Sequence, residues 1–129
     1  MENIDWFNTL NKPFLAPPDW LFTPVWIVLY ILMTISFTLF LKNGITKEKR
    51  LPLFFFLMQL ALNLSWSPVF FRMQNITGAF LIIIFMYIFL ILTIITFFKH
   101  SKLASLLFLP YLLWISFAAY LNFGYLVLN

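Results

Sequence analysis

Four stretches of this chain, about 20–41, 51–71, 76–98 and 103–128, contain no Asp, Glu, Lys, Arg or His. Each is close to the ~20 apolar residues that cross a hydrocarbon layer ~30 Å thick. Backbone in hydrocarbon has to satisfy its own amides and carbonyls, so runs of this kind are helical. The pattern is that of an all-α integral membrane protein, a transmembrane helical bundle with four spans in a single domain over 1–129. Composition agrees. Apolar residues make up 64% of the chain and charged residues 9%, whereas a soluble domain carries about 25% charged residues. Too few polar side chains exist to cover a water-soluble surface. The connections are short, so consecutive spans are expected to be antiparallel neighbours.

The charges between the runs set an orientation. Lys42, Lys47, Lys49 and Arg50 join the first run to the second, and Lys99 and Lys102 join the third to the fourth. The opposite side carries Lys12 and Arg72, together with Glu2, Asp5 and Asp19. The bias of basic loops toward the cytoplasm places 42–50 and 99–102 inside and both chain ends outside. The lysines read as topological signals. His100, between Lys99 and Lys102, reads as a solvated interfacial residue. A net charge of +4 does not point to nucleic acid, because the basic residues lie beside apolar runs. The start, Met1 to Asp5, is acidic and does not resemble a cleavable signal.

Several chemistries are excluded. Proton relays, ion-coupled transport and charged selectivity rings use ionisable groups at membrane depth, and the spans have none. The chain lacks cysteine and has one histidine, so disulfides, thiolate metal sites and internal haem ligation are not available. No Ser-His-acid set or phosphate loop can be assembled. The expectation is no metal and no classical catalytic group.

What the spans offer is aromatic surface with a few amides. Trp26, Tyr30, Met33 and Phe37 share a face of the first run. Pro24 is expected in or near its first turn, where proline costs least. Gln59, Asn63 and Trp66 are spaced i, i+4, i+7 on the second, and amides in hydrocarbon need partners, so that face should turn inward. Pro68 should bend the end of this helix. The third run is Ile, Leu and Phe on all sides, and is expected to face lipid and contribute least to any site. On the fourth, Tyr111, Trp114, Ala118, Asn122 and Tyr125 form one stripe. Pro110 should kink that run near Leu106, and Ala118 and Ala119 leave room beside Trp114. A mostly apolar pocket with a few polar groups suits a large, flat hydrophobic ligand. The other reading is a structural or interaction protein whose aromatics only pack. Ala61 and Ser65 give a small-xxx-small pair that allows close helix approach, so a homodimer is plausible on this pattern.

Ahead of the first run lies a stiff loop, 1–19, with Lys12-Pro13, Pro17-Pro18 and Trp20 at its edge. It reads as a lid over something held among the helices. These residues carry a resemblance. Lys12-Pro13, Pro17-Pro18-x-Trp20 and Pro24-Val25-Trp26-x-x-Leu29-Tyr30 come first. Gln59-Leu60-x-Leu62-Asn63-x-x-Trp66-x-Pro68-x-Phe70-Phe71 follows, and Pro110-Tyr111-x-x-Trp114-x-x-Phe117-Ala118-x-x-Leu121-Asn122 closes the set. In these blocks the chain resembles the TspO/translocator (TspO/MBR) family of tryptophan-rich sensory proteins, also called peripheral-type benzodiazepine receptors.

The resemblance implies a TspO-like fold of five helices, commonly dimeric, with a pocket under the loop joining the first two. Four spans are present here, and the family's first helix is expected to be missing ahead of Asp5. The implied ligands are protoporphyrin IX and related tetrapyrroles, isoquinoline carboxamides, and sterols in some lineages. The implied role is that of sensor, carrier or sink. Some bacterial members promote light-dependent porphyrin breakdown through pocket tryptophans, which match Trp26 and Trp114 by position. Tyr30, Asn63, Trp66, Phe70, Ala118 and Leu121 match other pocket positions, and Pro17, Pro18 and Trp20 match the lid. The sterol pattern is incomplete, because no cation follows Leu121 and Tyr125.

Overall fold

In a computed structural model the chain is described at Trp6 and over 9–14, 19–42 and 44–129, the side chains of Asp19, Trp20 and Phe22 excepted. The helices are α1 (Asp19–Leu41), α2 (Arg50–Ser67), α3 (Ile76–Phe98), α4 (Lys102–Leu106) and α5 (Leu109–Leu128). A 3-10 turn, Lys47–Lys49, leads into α2, and a π turn, Pro68–Arg72, ends it. The described residues contain no strand, and four helical stretches are long and apolar enough to cross a membrane. The proposed lid residues Pro17 and Pro18 lie outside the described residues, as does the side chain of Trp20.

Proline edits the helices at three places. Pro24 sits inside α1 rather than at its start, because the helix begins at Asp19. Its ring leaves the Trp20 carbonyl without the usual i→i+4 donor. At Pro68 the α2 helix widens, and the Met73 amide reaches back five residues to the Pro68 carbonyl at 2.9 Å. The fourth run is not one helix but two. The Phe108 amide bonds the Ser105 carbonyl at 3.1 Å, three residues back, and Pro110 cannot donate to Leu106. The expected kink is a full break between α4 and α5. Ser101 opens α4, its hydroxyl accepting from the Ala104 amide at 3.2 Å.

The expectation for the third run is overturned. α3 is the central helix, packed along α2 on one side and along α4 and α5 on another. Ala79, Ile83, Met86, Leu90, Thr93 and Phe97 are buried on it, at alternating spacings of four and three that trace one stripe. Leu81, Phe85, Ile88 and Ile95 point outward. A helix apolar on every face carries no contrast from which to read its inner side, since lipid tails are as apolar as leucine.

At the basic end α1 is tightly held. The Ser36 hydroxyl donates to the Ala104 carbonyl at 2.6 Å, and the Phe40 ring stacks on Phe97 with centroids 3.9 Å apart. Lys49 is buried rather than solvated. Its Nζ donates to the carbonyls of Lys42 (3.1 Å) and Gly44 (3.0 Å) and lies over the Phe40 ring. It closes the C-terminal end of α1, where carbonyls lack helical partners and a cation is favoured. Gly44, at φ +86°, supplies the left-handed turn this requires. Toward its other end α1 has no extended backbone contact with α2 or α5.

Candidate functional site

The inward face of α2 finds its partners across the bundle. The Tyr30 hydroxyl, from α1, donates to Asn63 Oδ1, and Asn63 Nδ2 donates to the Tyr111 hydroxyl on α5. The Tyr111 hydroxyl in turn faces Met86 Sδ at 3.8 Å on α3. One amide therefore ties together three helices, and the Tyr111 hydroxyl extends the chain to a fourth. One turn further on, Trp66 Nε1 donates to Asn122 Oδ1 at 2.9 Å, and Asn122 Nδ2 donates to the Ile76 carbonyl at 3.1 Å. Gln59 is fully buried, with Nε2 against Met33 Sδ at 3.8 Å and no partner for Oε1 among the described residues.

Above this polar seam the indoles converge. Trp26 of α1 meets Trp114 of α5 edge to face, centroids 6.2 Å apart at 89°, and lies 5.8 Å from Tyr30. Trp66 stacks on Phe70 at 5.0 Å. Between these rings is a cavity of about 50 Å³. Of the residues singled out from the sequence, Trp26, Asn63, Trp66, Phe70, Trp114, Ala118 and Leu121 lie on its wall. Tyr30 does not; it lines a neighbouring groove and reaches the cavity through Asn63. Phe71, Ile83, Met86, Ile115 and Tyr125 also line the cavity. Phe71 stands within the sequence blocks quoted above, and Tyr125 on the stripe of the fourth run. Ile83 and Met86 belong to α3 and carry no signal in the sequence, so the helix expected to contribute least supplies one side of the cavity.

The groove, about 290 Å³, lies between α1 and α2 and is lined by Thr23, Trp26, Ile27, Tyr30, Asn63, Trp66 and Ser67. It continues along α1 past Ile31, Thr34 and Ile35. Trp26, Asn63 and Trp66 belong to both spaces and form the partition between them.

Described residues ahead of α1 pack beside the cavity wall. Trp6 packs edge-on against Phe70 at 5.7 Å, and with Leu10 covers the cluster of Phe70, Leu121 and Tyr125. The Asn11 amide donates to Asn129 Oδ1 at 3.0 Å, Asn11 Nδ2 to the Leu128 carbonyl at 3.2 Å, and Asn129 Nδ2 to the Asn11 carbonyl at 3.0 Å. The Tyr120 hydroxyl donates to the Phe14 carbonyl at 2.6 Å. Buried Pro13 sits against Gly124 so closely that a Cβ there would lie 2.4 Å from Pro13 Cβ. Nothing in the sequence pairs these two ends, which are more than a hundred residues apart.

The wall is apolar apart from Asn63, the Tyr125 hydroxyl and the indole N–H groups. Among the described residues no three His, Cys, Asp or Glu side chains come together to hold a metal ion. The arrangement suits stacking and hydrogen bonding rather than acid–base or metal chemistry.

Comparison with known proteins agrees on kinship. The model of the TspO/MBR family matches residues 1–128. The chain is 46% identical over 125 residues to the tryptophan-rich protein TspO of Chlorobaculum tepidum, covering 96% of this chain and 79% of the relative. Protein CrtK of Rhodobacter capsulatus is 35% identical over 127 residues, covering 96% and 78%. The human translocator protein is 34% identical over 124 residues, covering 95% and 73%.

Proposed function

The chain belongs to the TspO/MBR family, and on that premise we propose that it binds a flat, largely apolar tetrapyrrole such as protoporphyrin IX among its tryptophans, as sensor, carrier or sink. It is a multi-pass integral membrane protein of the translocator type. The observation that carries the reading is the meeting of Trp26 and Trp114, from helices distant in sequence, across a cavity with Asn63 on its wall. Indole faces attract a macrocycle by stacking, and the amide orients a polar substituent.

At about 50 Å³ the cavity is smaller than the sites of drug-sized ligands, which run about 300–1,000 Å³. Binding on this reading separates α1 from α2 and joins cavity to groove. The same two indoles, held beside a photosensitiser under light and dioxygen, are oxidisable. This gives light-dependent porphyrin breakdown a route without a catalytic base.

Protoporphyrin IX should quench the tryptophan fluorescence saturably, with one ligand per chain. Replacing both Trp26 and Trp114 by Phe should weaken binding by about ten-fold or more, as loss of aromatic anchors does. Unchanged quenching in a variant of native helicity excludes this site. The small cavity favours a second reading, in which the rings only pack helices together. A melting temperature indifferent to porphyrin and isoquinoline ligands would support it, because a ligand that prefers the folded state raises that temperature.

A further inference from the structure

We infer that the thioether of Met86 is a redox site: a hydroperoxide in the tryptophan cavity converts it to the sulfoxide, and the new oxygen makes one part of the cavity wall polar. The oxidation does not depend on which larger molecule the cavity takes. Its effect on binding rests on the cavity being a ligand site.

Position singles out this sulfur. Of the chain's five methionines, Met33 and Met86 are the buried ones among the described residues, at 5% and 2% exposure. Each accepts from a buried polar group: Met33 Sδ from Gln59 Nε2, and Met86 Sδ from the Tyr111 hydroxyl, both at 3.8 Å. Sulfur is a weak acceptor, so both donors are underused. The two sites differ in one respect. Met86 lies on the wall of the cavity, whereas Met33 lines neither the cavity nor the groove. A water molecule needs about 10–15 Å³ of such space. The cavity's roughly 50 Å³ therefore admits hydrogen peroxide, which is little larger than water, beside the Met86 sulfur.

The chemistry balances on this sulfur and one peroxide. A sulfur lone pair attacks one peroxide oxygen, and the S–O bond forms as the O–O bond breaks. The thioether loses two electrons and the peroxide gains them. The proton of the transferred oxygen passes to the departing hydroxide, which leaves as water. Charge separation of this kind is costly in an apolar interior unless a donor is already in place. The Tyr111 hydroxyl is that donor, directed at the sulfur. It also accepts from Asn63 Nδ2, and a hydroxyl that accepts one hydrogen bond donates the next more strongly. The sulfoxide oxygen is a better acceptor than the thioether it replaces, so the same contact favours the product.

Oxidation turns a flexible apolar side chain into a polar, chiral one. The added oxygen shares the cavity with Trp26 and Trp114. A flat apolar ligand then meets a polar group where it had a thioether, and binding weakens under oxidising conditions.

The test uses the whole chain in lipid nanodiscs. Hydrogen peroxide is added in the dark, catalase stops the reaction, and each methionine is followed by peptide mass spectrometry. Met73, 65% exposed, reports the bulk reaction. Met86 should gain its oxygen about ten-fold faster or more than the equally buried Met33, since susceptibility follows access. Tyr111→Phe should slow Met86 by about three-fold or more and leave Met73 unchanged, as loss of one hydrogen bond does. An ordered wall also yields a single epimer. After digestion, only one of methionine sulfoxide reductases A and B should restore the Met86 peptide, whereas full repair of Met73 needs both. Oxidation should weaken protoporphyrin IX quenching by about ten-fold in the wild-type chain, because a polar group now faces the ligand. In Met86→Leu, oxidation should leave quenching at that variant's own untreated level. Equal rates at Met86 and Met33, or both epimers at Met86, overturn the redox site. Clean oxidation at Met86 with unchanged quenching overturns its control of binding. A chain that never quenches, yet takes oxygen at Met86 as expected, overturns the ligand reading alone and upholds the redox site.

Discussion

Asn63 is the residue on which the interior turns. It accepts from Tyr30, donates to Tyr111 and faces the cavity, so α1, α2 and α5 share a single amide. Asn63→Leu keeps the volume and removes both bonds, leaving the buried Tyr111 hydroxyl with only a distant thioether. Interhelical hydrogen bonds in membranes average about 0.6 kcal/mol each, so the loss should be about 1 kcal/mol, read by reversible unfolding in mixed micelles. The inward direction of Asn63 was legible, because an amide in the middle of an apolar run has to find a partner. The identity of the partners was not, because it depends on which helices pass beside α2. Lys49 makes the same point from the other side. Its charge read as one topological signal among several, and only the path of the chain back to Lys42 and Gly44 makes it a helix cap.

Among the elements, α5 does two tasks with two faces. Trp114, Ala118, Leu121 and Tyr125 line the cavity, and Tyr120, Gly124 and Asn129 hold the strap. Gly124→Ala tests the second task separately. Alanine favours the helix by about 1 kcal/mol, yet its Cβ collides with Pro13. The expected outcome is hydrogen exchange at the Asn11 amide faster by about ten-fold or more, with exchange in the middle of α5 unchanged. The aromatic stripe of α5 could be read from its period. Its strap-binding face could not, since nothing marks a glycine as the seat of a proline far away. For α3 even the period is silent, and its central place follows from contacts made by its neighbours.

For the whole molecule, the four spans alternate in direction, so 42–50 and 99–102 lie at one end and 72–75 at the other. The excess of Lys and Arg at the first end predicts that it faces the cytoplasm. The absence of native cysteine makes this simple to check. In intact cells a membrane-impermeant thiol reagent should label Gln74→Cys and leave Lys47→Cys unlabelled; the reverse pattern would invert the orientation. α1 is pinned at the basic end by Ser36 and Phe40 and stands off from α2 toward the other, where the groove opens.

The sequence by itself determined the solvent, the number of spans and the inward faces of α1, α2 and α5. Length, missing charge and the spacing of amides and indoles are local properties, and hydrocarbon enforces them on any helix. Tertiary structure alone decided that α3 is central, that the fourth span breaks into two helices, and that Trp26, Asn63 and Trp66 stand between the cavity and the groove. Those depend on which surfaces meet. Among helices that are apolar almost everywhere, the bilayer makes no distinction between inside and outside, so only shape and a handful of hydrogen bonds select the arrangement.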